Sequence, residues 1–337
     1  MTVRRRELVG FLLPWAVGLF ALTILPALAS LVLSFVHLES GYSLDRVNWA
    51  GLEHYERAIG IDHTYRLVAN DPWYWGVLGG RPLDDRFYRS LSNSLIYTAL
   101  AVPLGLFSSL AVALLLSQSF RGRSLIRGLI YLPHLLGGVA TIIIWSWLLN
   151  PQFGWINQTI RFLYRLLDPL VQLFHDGGTA TWPVPDWLYS PFWCKPAVAL
   201  MSMWTMGGAM LIFLAALHRV PSLLHDAARI DGAGRWQRFQ HVTLPQITPA
   251  ILFNLVVSIV FSMQSFSESY VLQNRAQDNG LLFYVLHLYE VAFEPPYQLD
   301  YASALAWIFF VALFILTAPL VWTSRRWVHY AVQDQSL

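Results

Sequence analysis

One lysine, one cysteine and long stretches without any charge set this 337-residue sequence apart. The lone lysine, Lys195, lies in Cys194-Lys195-Pro196, so no Gly-x-x-x-x-Gly-Lys phosphate loop can form and ATP hydrolysis by that route is excluded. The lone Cys194 excludes an internal disulfide and a cysteine metal cluster; it reads as a small filler at a membrane edge. Charged residues are only 12% of the chain against 56% hydrophobic, and the mean hydropathy of +0.47 lies outside the range of an ordinary soluble domain.

The missing charges are missing in blocks. No Asp, Glu, Lys or Arg lies between Glu7 and Glu39, Arg89 and Arg121, Arg127 and Arg161, Lys195 and Arg219, Arg238 and Glu268, or Asp300 and Arg325. Each gap holds the roughly 20 apolar residues that cross a hydrocarbon core of about 30 Å. Six transmembrane helices are predicted, near 10–36, 91–117, 125–149, 196–217, 247–271 and 302–323. The first follows Arg4-Arg5-Arg6, is too long for a signal-peptide core and lacks a clear small-x-small site, so it reads as a retained span. Arginine dominates the segments 1–7, 118–127, 218–241 and 324–337, and acids outnumber bases in 37–90, 151–195 and 268–300 taken together. By the positive-inside rule the first set is cytoplasmic, and both termini with it.

No internal repeat or linker divides the chain, so a single membrane domain, 1–337, is expected, with a core at 87–323 and outer loops at 37–90, 150–195 and 272–300. The first outer loop, with Trp73-Tyr74-Trp75 near its middle, should hold a short helix near Leu52–Ile59 and otherwise lie against the membrane or a partner. Arg121-Gly122-Arg123 marks a tight inner turn. Residues Trp155 to Leu167 have apolar positions at helical spacing and read as an amphipathic interfacial helix, whereas Trp182 to Trp187 is irregular.

The inner segment 219–246 is the most specific. Ser222 is a candidate cap of a helix carrying Leu224, Ala227, Ala228 and Ile230; Gly232 and Gly234 permit a sharp turn; a second short helix through Trp236, Phe239 and Val242 should stop at Pro245. An amphipathic helix-turn-helix with a small-residue face suits a groove on a soluble partner. The string Asp226-Ala227-Ala228-x-x-Asp231-Gly232-Ala233, with Phe239 and Leu244-Pro245 following, resembles the coupling loop of ABC importer permeases, in which Asp226 stands where Glu is usual. Trp49 to Tyr55, Phe87 to Leu95, Tyr131-Leu132-Pro133, Phe153 to Asn157, Tyr289 to Phe293 and Tyr301 to Ala304 are similar to the maltose/glycerol-phosphate-type carbohydrate permeases, the first of the two in such systems. Departures fall after Leu272 and in the long outer segment 158–192.

The resemblance implies an all-α, six-span, type I ABC importer (MetI-like) fold in a bacterial inner membrane. It implies a second homologous permease, two ATPase subunits and an extracytoplasmic solute-binding protein as partners. ATP and Mg²⁺ would sit on the ATPases, leaving this chain without catalytic residues or cofactors. Leu224, Asp226, Ala227, Ala228, Asp231, Gly232, Ala233, Phe239, Leu244 and Pro245 are the implied ATPase contacts.

A polar stripe of Asn254, Ser258, Ser262 and Ser265 is a candidate substrate pathway; hydrogen bonding to a neighbouring helix is the plainer alternative. Met201 and Trp204 could meet the apolar face of a sugar, whereas Gly207-Gly208 reads as close helix packing. Pro133-His134 and Gly137-Gly138 suggest a kink and a tight crossing. His287 and Glu290 have metal-like spacing, but two such groups on a loop make no site, and no metal is expected. An ion-coupled secondary transporter, or a channel, is the alternative class; the mid-span acids that ion coupling uses are missing.

Overall fold

The computed structural model describes residues 5–39, 47–65, 72–136, 138–172, 184–273 and 276–329. Arg4, Gly137, Trp182-Pro183, Asn274-Arg275 and the last residues from Tyr330 on, all used in the sequence reading, lie outside them.

Helix α1 (Arg5–Leu19) passes through a π-helical turn, Phe20–Ile24, into α2 (Leu25–Leu33). Its side chains, among them Trp15, Phe20, Leu22 and Val32, are exposed, as an apolar helix lying in lipid or against another membrane chain requires. Strand β1 (Val36–Leu38) then pairs antiparallel with β2 (Val47–Trp49), followed by α3 (Glu53–Ile59), which matches the short helix expected at Leu52–Ile59. Strand β3 (Ile61–Asp62), α4 (Trp73–Leu78) and β4 (Arg81–Pro82) complete the segment, with β3 and β4 antiparallel. An all-α chain therefore carries two short strand pairs that no alternating pattern announces.

The long apolar helices follow. They are α5 (Asp85–Ser117), the pair α6 (Arg123–Leu135) and α7 (Gly138–Leu148), and the pair α9 (Cys194–Met203) and α10 (Gly207–His218), with the amphipathic α8 (Trp155–Gln172) between the two pairs. After the 219–246 segment, which holds α11 (Ser222–Ile230) and α12 (Arg235–Arg238), come α13 (Leu244–Met263), α14 (Ser267–Leu272), α15 (Tyr284–Phe293) and α16 (Leu299–Trp327). Leu12–Leu33, Asp85–Ser117, Arg235–Leu272 and Leu299–Trp327 are long and apolar enough to span. Two further spans arise if each bent pair is one, so the six-span fold is present with two of its spans sharply bent.

The third and fourth spans are thus not straight. α6 and α7 differ by 101° and α9 and α10 by 50°. In the first pair Pro133 lies two residues before the end of α6, where it cannot donate to the ladder. The second pair breaks at Trp204-Thr205-Met206. The fifth span also breaks, at Gln264-Ser265-Phe266.

Contacts group the residues into two compact units, 1–89 with 286–314, and 90–285 with 315–337, whose boundaries fall inside continuous helices. In the first unit Asp84 Oδ1 caps α5 by accepting the Phe87 N–H at 3.0 Å, and its Oδ2 accepts the Tyr301 hydroxyl at 2.5 Å. His287 Nε2 stands 3.5 Å from the same oxygen, an ion-pair distance once the ring is protonated. Burial of Asp84 opposes ionisation, but the contacts from His287, Tyr301 and Phe87 prevail and hold its pKa at about 2. Asp85 Oδ1 accepts from Tyr74 and Trp75, binding α4 to the start of α5. Burial, then that carboxylate, pushes the Tyr74 phenol up to about 12. In the second unit α10 packs on α6 and α13, and α7 on α9 and α14. Cys194 is fully buried against Gly280, whose Cβ, if present, would lie 2.9 Å from its sulfur.

Candidate functional site

The 219–246 segment forms α11 (Ser222–Ile230), a turn, and α12 (Arg235–Arg238). Pro221, extended at ψ 131°, precedes the first turn, and Ser222 is the first helical residue rather than its cap. The turn after α11 is a Schellman motif: the Ala233 N–H bonds Ala228 O at 2.9 Å and the Gly232 N–H bonds Arg229 O at 3.1 Å. Gly232 takes the left-handed conformation this requires, at φ +78°. The Gly234 N–H is accepted by the Gln237 side chain at 2.7 Å, which starts α12. The order Asp-Gly-Ala is therefore a helix stop with a fixed exit direction.

Pro245 does not end the second helix. α12 continues through a π-helical turn, Phe239–Thr243, into α13, with Pro245 in the first turn of α13. The wider π turn accommodates a residue that has no N–H to give, so helix and span join without a break. Leu244 is the first residue of α13, and Phe239 packs its ring 5.5 Å from that of Trp236.

The surface of this segment is what a docking element needs. Leu223 is 75% exposed, Ile230 87% and Trp236 66%, while Leu224 and Ala227 are also exposed and Ala228 is half-buried. An aliphatic stripe flanked by alanines on a helix with no buried residues has no core of its own to fill. Asp226 meets Arg229, at 3.3 Å within the same exposed helix turn, and Asp231 ends that helix.

The pathway candidates lie elsewhere in the same unit. Asn254 is buried and donates to Ala250 O at 3.1 Å; Ser262 donates to Thr98 Oγ1 on α5, also at 3.1 Å. Ser258 is half-buried on the same face of α13. Ser265 falls beyond the end of α13, in the break, and donates to Glu268 Oε2 at 2.7 Å. So Asn254, Ser258 and Ser262 form the stripe, and Ser265 belongs to a separate polar pair with Glu268. Met201 is buried in α9, and Trp204, 44% exposed, occupies the bend after it. Gly207 and Gly208 are packing residues: a Cβ at Gly207 would lie 2.9 Å from the Tyr131 Cα, and one at Gly208 would lie 3.0 Å from His134 Nε2.

Two buried donors escaped sequence reasoning. Thr141 Oγ1 and Trp145 Nε1, four residues apart on α7, have no hydrogen-bond partner among the described residues, and the Trp145 ring meets Trp204 edge-on at 5.8 Å. Their i, i+4 spacing is the signal that could have found them. His287 and Glu290 do not share a site. They lie on α15, one facing Asp84 and the other paired with Arg86.

Comparison with known proteins settles the class. Residues 83–326 match the family of binding-protein-dependent transport system inner membrane components. The chain belongs to that family, the permeases of ABC importers. A probable ABC transporter permease, YesP of Bacillus subtilis, is 32% identical over 340 residues, covering 99% of this chain and 96% of the relative. The lactose transport system permease LacF of Rhizobium radiobacter is 27% identical and covers 72% of this chain and 78% of its own. A bacterial ABC transporter that imports the acidic polysaccharide alginate has the same fold, with a TM-score of 0.67 at 20% identity over 95% of each chain. This permease is therefore an integral membrane component of an ABC importer.

Proposed function

We propose that this permease translocates a carbohydrate, delivered by an extracytoplasmic binding protein, and that α11 couples it to ATPase subunits in the cytoplasm. The observation that carries the coupling is α11 itself: an exposed apolar and alanine face, closed by a hydrogen-bonded Schellman turn, beyond which α12 runs unbroken into a span. A helix fixed in this way transmits displacement. Closure of an ATPase pair around α11 would move α12 and α13 with it, because no flexible linker intervenes. The basic residues around the segment, Arg219, Arg229, Arg235 and Arg238, support a cytoplasmic position, which puts both termini on that side.

A sugar substrate is supported by the relatives that import lactose and alginate and by the chemistry of the second unit. Buried donors without partners among the described residues at Thr141 and Trp145, an indole at Trp204 and the amide and hydroxyls of α13 offer hydrogen bonds and ring faces. Chain and site thus supply binding and movement; ATP hydrolysis belongs to partner subunits.

The test is co-purification from native membranes. Wild type should bring down an ATPase subunit, and Ala228→Trp, which fills the small-residue face without disturbing the spans, should not. Equal recovery with both would remove α11 from the contact.

A further inference from the structure

Three side chains of the first compact unit converge although transport gives them no role. His37 on β1, His54 on α3 and Asp300 in the first turn of α16 each offer one donor atom, and the three atoms lie within 4.8 Å of one another. His37 Nδ1 is 3.2 Å from Asp300 Oδ2, and His54 Nε2 is 3.6 Å from the same oxygen. A tetrahedral ion with bonds of about 2.0–2.2 Å holds its ligand atoms roughly 3.4 Å apart, between these two separations.

We propose that His37, His54 and Asp300 bind a divalent transition-metal ion, with zinc the ion that best fits the ligands. Two imidazoles and one carboxylate suit zinc and its neighbours, whereas calcium and magnesium favour sites made wholly of oxygen. Asp300 and His54 are buried and the His37 side chain is 57% exposed, so an ion can enter from His37 and keep one position for water.

The carboxylate is held for the purpose. Its Oδ2 accepts the Leu38 N–H at 3.1 Å and its Oδ1 the Tyr301 N–H at 2.8 Å. His54 Nε2 meets Val36 O at 2.9 Å, so in the ion-free state that nitrogen carries the proton. Metal uptake moves this proton to Nδ1 and exchanges the bond to Val36 for a metal–nitrogen bond, with no net change in protons. The bound ion would tie the strand and helix that follow the first span to the start of the last span, across 263 positions of sequence.

The test uses the full chain in its detergent-solubilised complex, stripped with a chelator and titrated with Co²⁺, whose tetrahedral complexes absorb in the visible. One equivalent should bind at micromolar concentration and be displaced by Zn²⁺. His37→Gln changes an exposed residue and should leave the complex assembled, with affinity at least tenfold weaker. Asp300→Asn keeps an oxygen for Leu38 and should weaken binding likewise. Binding only at millimolar metal, or stoichiometric binding unchanged in both variants, would show that the three residues do no more than bond β1 to α16.

Discussion

Gly232 gives the sharpest handle on how this permease couples. At φ +78° it completes the Schellman turn, and a Cβ there would meet nothing within 4 Å. A side chain therefore costs only the left-handed backbone conformation, about 1–2 kcal/mol for Ala and less for Asn, whose side chain tolerates that region. At about 1.4 kcal/mol per tenfold, Gly232→Ala should populate the native turn roughly 5- to 30-fold less. Gly232→Pro is different in kind. Proline fixes φ near −65° and removes the N–H that bonds Arg229 O, so the turn cannot form at all. The turn is exposed and buries no core, so membrane insertion should be unaffected. Uptake of labelled solute by cells, scaled to permease measured in the membrane, should fall in the order Gly, Asn, Ala, with Pro at background. Wild-type uptake by the Pro variant at a normal membrane level would refute the coupling role of the turn, and Ala above Asn would refute the conformational explanation.

Other expectations follow from the packing. Gly207→Ala sets a methyl against the Tyr131 backbone and should cost about 1–3 kcal/mol, read as a lower unfolding temperature in detergent. Ser262→Ala removes the bond to Thr98, worth about 0.6 kcal/mol in a membrane, so a rise in the KM of uptake well beyond so small a loss of stability would mark Ser262 as a substrate contact. Asp84 titrates at about 2 in the folded state against 3.8 ordinarily, so its contribution is present above about pH 4 and is lost as pH falls towards 2. Asp84→Asn should flatten the acid limb of the stability curve over that range; an unchanged limb would mean that the His287 and Tyr301 contacts do not favour the ionised form.

Much of this was legible in the chain. Blocks without charge located the spans because a charge in hydrocarbon is costly, and Asp231-Gly232-Ala233 located the turn because few residues accept φ above zero. The breaks within spans were harder. Pro133 hinted at the first, but the bend at Trp204 and the continuity past Pro245 depend on tertiary packing and a π turn, which carry no local composition. Ser265 was placed on the stripe by counting spacing across a helix end that counting cannot see. Short strand pairs such as Ile61–Asp62 with Arg81–Pro82 are too brief for periodicity. His37, His54 and Asp300 meet only through the fold, so no spacing rule could have joined them.

The central claim is that solute movement is driven by ATP through α11. The direct measurement is solute uptake into proteoliposomes containing this permease, its partner permease and ATPase subunits, with binding protein outside and ATP inside. Uptake that needs ATP and binding protein, and that stops with Ala228→Trp while the complex stays in the membrane, is the result expected. Uptake that continues without ATP and follows an imposed ion gradient would contradict the account and make this chain an ion-coupled carrier.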